Sequence, residues 1–167
     1  AAHQIALSLA ATTFMVSLGL SAAGSIRVGN SFGRRAWAEV RKIGMTVITM
    51  SVIFGSVCAI FFIFFKDSLP YLFNDEKVVV YYASMLLFYA AIFQISDSVQ
   101  AILVGLLRGI QDVKIPTYIV AFAYWGVGIP AGYILAFPFG LESRGIWIGF
   151  LVGLSFSAIM LFIRFRK

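Results

Sequence analysis

The sequence predicts an all-α integral membrane protein with five spanning helices, and three observations predict it. Hydrophobic residues make up 61% of the 167 residues and the mean hydropathy is +0.96. A soluble fold of this size cannot bury that much apolar surface. Charged residues are 12% of the chain, about half the share of an ordinary soluble domain. They collect in short segments between long apolar runs, such as "GNSFGRR", "KDSLPYLFNDEK", "RGIQDVK" and "GLESR". No run alternates with the period of two that a membrane β-barrel requires, so the spans are helices that satisfy their own backbone groups. The chain reads as one transmembrane domain over residues 1–167.

A crossing takes about 20 apolar residues, and five runs qualify. The first covers residues 5–26 and is rich in Ala, Ser and Leu. It opens mid-pattern at "AAHQIAL", without an initiator Met or a charged leader, so the chain is expected to be a fragment whose upstream part is missing. His3 has no second ligand nearby, and no metal site is expected there. The stretch "NSFGRRAWAEVRK" follows. It is read as a solvated basic loop that sets topology, with a short interfacial helix anchored by Trp37 as the alternative.

The second run, 43–65, carries no charge and holds Cys58. A single cysteine cannot form an internal disulfide, so the redox compartment is not readable. The third run, 78–107, is interrupted only by Asp97. The fourth, 115–139, has Pro116 at its start, where a helix tolerates it, and Pro130 inside, where a kink is expected. The fifth is 145–163. Glycines repeat at spacing four in Gly105/Gly109, Gly128/Gly132 and Gly149/Gly153. Such spacing lets helices approach closely in lipid.

Charge placement predicts orientation. Arg27, Arg34, Arg35, Arg41 and Lys42 follow the first span, Arg108 and Lys114 the third, and Arg164, Arg166 and Lys167 the fifth. Lys66, Lys77 and Arg144 lie on the other side. The side with ten basic residues is expected to be cytoplasmic, with the C-terminus inside. Topology accounts for the net charge of +6, and no nucleic-acid partner is expected.

Asp97 is the exception inside an apolar run. It lies 11 residues before Arg108, roughly 16 Å along a helix, and 20 residues after Lys77, roughly 30 Å. A carboxylate at that depth costs about 2.5–3.5 kcal/mol. Gln94 and Gln100, at i−3 and i+3, share its helix face, while Ser96 and Ser98 point elsewhere. A polar stripe of this kind must face the bundle interior or a wet cavity. Three roles are open for Asp97: a structural acid hydrogen-bonded to Gln or Ser; a group that binds and releases H⁺ or Na⁺ during transport; or half of an intramembrane aspartyl protease. The last needs a second carboxylate, which no other span carries.

The segments "AAHQIAL", "SIRVGNSFG", "FQISDSVQ", "GLLRGIQD", "AYWGVGIPAGYIL" and "GIWIGFLVGL" occur in an order that resembles the C-terminal half of multidrug and toxic compound extrusion (MATE) transporters, NorM-like branch. The resemblance covers essentially the whole chain. It implies twelve helices in two six-helix lobes, with this chain supplying the eighth to twelfth; the seventh helix and the N-terminal lobe fall outside it. It further implies secondary active multidrug efflux rather than an enzyme: antiport of organic cations against Na⁺ or H⁺ by alternating access, with no cofactor.

By the same resemblance, Asp97 matches the family's tenth-helix acid at the cation-coupling site, and Gln94 and Gln100 match the polar residues around it. Phe93 stands where several relatives carry Tyr. Phe93, Tyr124 and Trp125 are candidates to line an apolar wall for flat cations, with bundle or lipid packing as the alternative. The expected partners are membrane lipids, organic cations and the rest of the same polypeptide, and the expected location is the cell inner membrane. The rival functions are a non-transporting accessory module and a flippase for lipid-linked substrates. A flippase for large anionic substrates requires cationic residues in its cleft, and no Lys or Arg lies within the five runs.

Overall fold

A computed structural model describes residues 2–166; Lys167, counted with the basic C-terminal segment, lies outside the described residues. Helix α1 spans Ala2–Gly33, α2 Trp37–Phe65, α3 Lys77–Gly109, α4 Lys114–Phe122, α5 Ile129–Ala136 and α6 Glu142–Arg166. A π-helical turn, Ala123–Gly128, joins α4 to α5, so that Lys114–Ala136 is one helical stretch. Five stretches are therefore long and apolar enough to cross a membrane, in the order that hydropathy predicts.

Most of these helices outrun the apolar runs. α1 has 32 residues and α3 has 33, whereas hydrocarbon needs about 20. The extra turns carry the interfacial charges, because a formed helix extends through polar residues at little cost. This corrects the reading of "NSFGRRAWAEVRK". It is neither a loop nor a separate interfacial helix. α1 continues through Gly33, a turn of Arg34–Ala36 follows, and α2 begins at Trp37. Arg35 takes the left-handed conformation there (φ 58°), and the Ala36 amide donates to the Ser31 carbonyl (2.9 Å). This pattern closes a helix end on its own carbonyls.

α3 is the central helix, packed against α1, α2 and α6, while the fourth span rests mainly on α6. Two close approaches rest on small residues. Along α1–α3, Gly105 faces Ser21 and Gly109 faces the Ser25 backbone. Along the fourth and fifth spans, Gly149 lies on the backbones of Gly128 and Gly132, and Gly145 on the Leu135–Ala136 backbone. The glycine spacing predicted these approaches.

The break expected at Pro130 takes the form of the π turn. Proline has no N–H to donate to the carbonyl one turn back, and the chain just before it widens instead. Between α2 and α3, a 3-10 turn (Leu69–Leu72) crosses the end of the bundle. Ser84 Oγ donates to Asp67 Oδ1 (2.5 Å) and ties this connection to α3. At the other end, Arg164 Nε donates to Asp112 Oδ2 at 2.8 Å, joining α6 to the α3–α4 turn.

One core cluster gathers Val28, Ile48, Ile102, Leu106 and Leu161; a second gathers Ala6, Ala90, Phe93, Trp147 and Leu154. The outer face of α2 leaves Ile53, Val57, Ile60, Phe61 and Phe64 exposed. Such a continuous apolar face suits lipid, not water.

Candidate functional site

The central turns of α3 hold the polar residues. Ser98 Oγ lies 2.9 Å from Ser17 Oγ of α1, both fully buried. Ser96 Oγ lies 2.9 Å from Ser155 Oγ of α6. A single turn of α3 is thus fastened on opposite sides, and the intervening residue, Asp97, is half-buried. Among the described residues no ion pair reaches its carboxylate.

Gln94 is fully buried, and neither its Nε2 nor its Oε1 has a partner. A buried carboxamide without partners is costly, roughly 1–3 kcal/mol for each unpaired group. One turn in the other direction, Gln100 Nε2 donates to Tyr124 Oη at 3.3 Å. That phenol lies in the π turn. The bond therefore links the polar stripe of α3 to the irregular turn of the fourth span.

A groove of about 530 Å³ starts at Gln100 and Tyr124 and runs between α1 and α4, over α3, to Arg108. Gln94, Asp97 and Gln100 occupy successive turns of one helix, as their spacing predicts. Of the three aromatic candidates, Tyr124 alone lines this groove. Phe93 is 9% exposed and packs against Trp147 with ring centroids 5.3 Å apart, inside the core. Trp125 is 76% exposed and stands apart from the groove.

Ser96 and Ser98, which the helix spacing turns away from the Asp97 face, point at the neighbouring helices and fix α3 between them. The signal that would have found them is Ser17, Ser21 and Ser25 at spacing four in the first run, a stripe as regular as the glycine pairs. Arg108, read as an inter-span charge, lies in the last turn of α3 at the groove's end. Chemically, the Asp97 carboxylate and the Gln94 carbonyl are hard oxygen donors, suited to a proton or a small cation. Among the described residues no three His, Cys, Asp or Glu side chains gather as a metal set.

Five apolar spans, the central one carrying a polar stripe with an ionisable residue, define a multi-pass membrane protein. More narrowly, the MatE family model matches residues 1–134, and the chain belongs to the MATE family of multidrug efflux transporters. It is 40% identical over 165 residues to the multidrug resistance protein MdtK of Proteus mirabilis (strain HI4320), covering 96% of this chain and 36% of that protein. It matches the crystal structure of the eukaryotic MATE transporter AtDTX14 with a TM-score of 0.91 at 28% identity, over 98% of this chain and 36% of that one. It also matches an inward-facing multidrug resistance MATE family transporter of the MOP superfamily. There the TM-score is 0.87 at 20% identity, over 96% of this chain and 37% of that one, a likeness of fold. The chain thus spans about a third of the length of these relatives.

Proposed function

We propose that these residues form the eighth to twelfth helices of a twelve-helix, NorM-like exporter, in which Asp97 carries the coupling ion. The observation that supports this most is the pairing of a half-buried, ion-pair-free Asp97 with the orphaned, fully buried Gln94 carboxamide on the central helix. A purely structural acid would be expected to hold a partner in such surroundings. Gln94 has its Oε1 unpaired and free to meet the ion, and Gln100 acts through Tyr124 on the π turn.

The cycle follows from differential binding. Inward movement of Na⁺ or H⁺ down its gradient neutralises Asp97. A neutral seam and a charged one differ in which lobe arrangement they stabilise, and the organic cation is released when the arrangement changes. Export is antiport, in the inner membrane, with the basic helix ends and the C-terminus in the cytoplasm. Tyr124 fronts the groove; Phe93 supports the helix from within the core.

The test uses the complete natural polypeptide that contains these residues, reconstituted in liposomes with ethidium as a flat organic cation. An imposed Na⁺ or pH gradient is expected to drive ethidium movement, and dissipating that gradient to stop it. Ethidium movement independent of both gradients would contradict the reading.

A further inference from the structure

At the basic end of the bundle a second cavity, of about 540 Å³, opens between α1 and α2. It lies on a different pair of helices from the groove beside Tyr124. Arg27, Ser31 and Arg34 sit at spacings of four and three on one face of α1. Lys42 and Thr46, with Met50 beyond, sit four apart on the facing side of α2. The two helices are joined by the turn at Arg34–Ala36 and run antiparallel. Arg27, eight residues before Arg35, and Lys42, seven after it, therefore stand at nearly the same depth.

The charge in this cavity is unbalanced. Glu39 is its single acid, and Glu39 is already engaged: Arg34 Nη2 donates to its Oε2 at 2.9 Å and Ser31 Oγ donates to the same oxygen at 3.2 Å. Among the described residues neither Arg27 nor Lys42 has an ion-pair partner. Three cations against one acid leave a surplus of two positive charges. Deeper in, the wall turns apolar through Ile43, Val47 and the exposed Met50. Met50 lies eight residues beyond Lys42, about 12 Å along the helix towards the membrane centre.

A cationic rim above an apolar floor is amphipathic in the same sense as a phospholipid. We infer that this cavity binds the phosphodiester headgroup of an anionic phospholipid, with Arg27 and Lys42 on the phosphate and an acyl chain along Val47 and Met50. Basic residues scattered along helix ends suffice to set topology. Their convergence on one cavity between two helices matches the arrangement by which membrane proteins hold anionic headgroups. The site is separate from Asp97 and stands whether or not Asp97 couples transport.

The same phosphate chemistry exists in free anions, and the experiment separates the two sources. The complete natural polypeptide, in neutral detergent, is titrated calorimetrically with dihexanoyl phosphatidylglycerol, dihexanoyl phosphatidylcholine and inorganic phosphate. Saturable binding of the phosphatidylglycerol is expected, with at least tenfold weaker binding of the other two. The Arg27→Gln/Lys42→Gln variant should weaken it about fivefold per charge, roughly 25-fold in all. Arg35→Gln/Arg41→Gln removes the same charge from the same end of the bundle but outside the cavity, and should change it less than about twofold. Equal losses in both double variants would reduce the effect to diffuse surface charge and overturn the site. Inorganic phosphate binding as tightly as the lipid would overturn the lipid assignment. Equal affinity for the two lipids would overturn both.

Discussion

Two helix seams in this bundle solve one packing problem with different chemistry. α1 meets α3 through serines and glycines, and the serines are bonded: Ser17 to Ser98, and Ser21 Oγ to the Ala101 carbonyl at 2.8 Å. The fourth span meets α6 through glycines set against backbone, Gly149 on Gly128 and Gly132 and Gly145 on Leu135–Ala136. In lipid no hydrophobic drive pulls helices together, so both seams depend on close approach. The serine seam adds directional bonds that hold the register of α3 around Asp97. The glycine seam has none, and it lies directly beside the π turn that carries Tyr124. The bonded seam and the backbone-contact seam are linked by the Gln100–Tyr124 bond.

The sharpest way to break this contrast is Gly149→Val. Its side chain would meet backbone atoms of Gly128 and Gly132, which cannot swing aside. The expected destabilisation is about 3 kcal/mol, the upper end of ordinary overpacking, read as loss of folded full-length protein in a thermal melt in detergent. Gly105→Ala should cost less, about 1–2 kcal/mol, because it adds one carbon and meets the rotatable Ser21 hydroxyl first, with the Ser21 backbone carbonyl behind it, where Gly149 meets backbone on all sides. Rotation would release the bond to Ala101, so the cost is not zero. Ser17→Ala should cost about 0.6 kcal/mol, the average for a hydrogen bond between membrane helices. Arg164→Gln, at a partly exposed ion pair, should cost about 0–1 kcal/mol and lose that effect in high salt. If Ser17→Ala destabilises more than Gly149→Val, the division into a bonded seam and a backbone-contact seam is wrong.

What was legible in the sequence has a physical pattern. Hydropathy detects a slab of hydrocarbon, so the five crossings and the oddity of Asp97 could be read from composition alone. The glycine spacing exposed both seams because a missing side chain at every fourth residue has few other uses in lipid. Hydropathy is blind to where a helix ends in the interfacial zone, so "NSFGRRAWAEVRK" read as a loop when it is two helix ends and a turn. Pro130 announced a break but not its form, since a kink and a π turn both answer one missing N–H. The facing of Ser96 and Ser98 depends on which neighbours stand on each side of α3, and that is tertiary information. Phe93 could be placed on the face beside Asp97, but not under Trp147, a residue 54 positions away.

Asp97 is the residue proposed to couple ion movement to drug export. The most direct measurement is ethidium accumulation in cells expressing the complete natural polypeptide, wild type against Asp97→Asn, at matched membrane expression. The substitution keeps the size of the side chain and removes its titratable charge. We expect accumulation in the variant to rise to the level of cells without the transporter. Export at the wild-type rate would contradict that role, leaving Asp97 a half-buried structural acid and coupling to other residues.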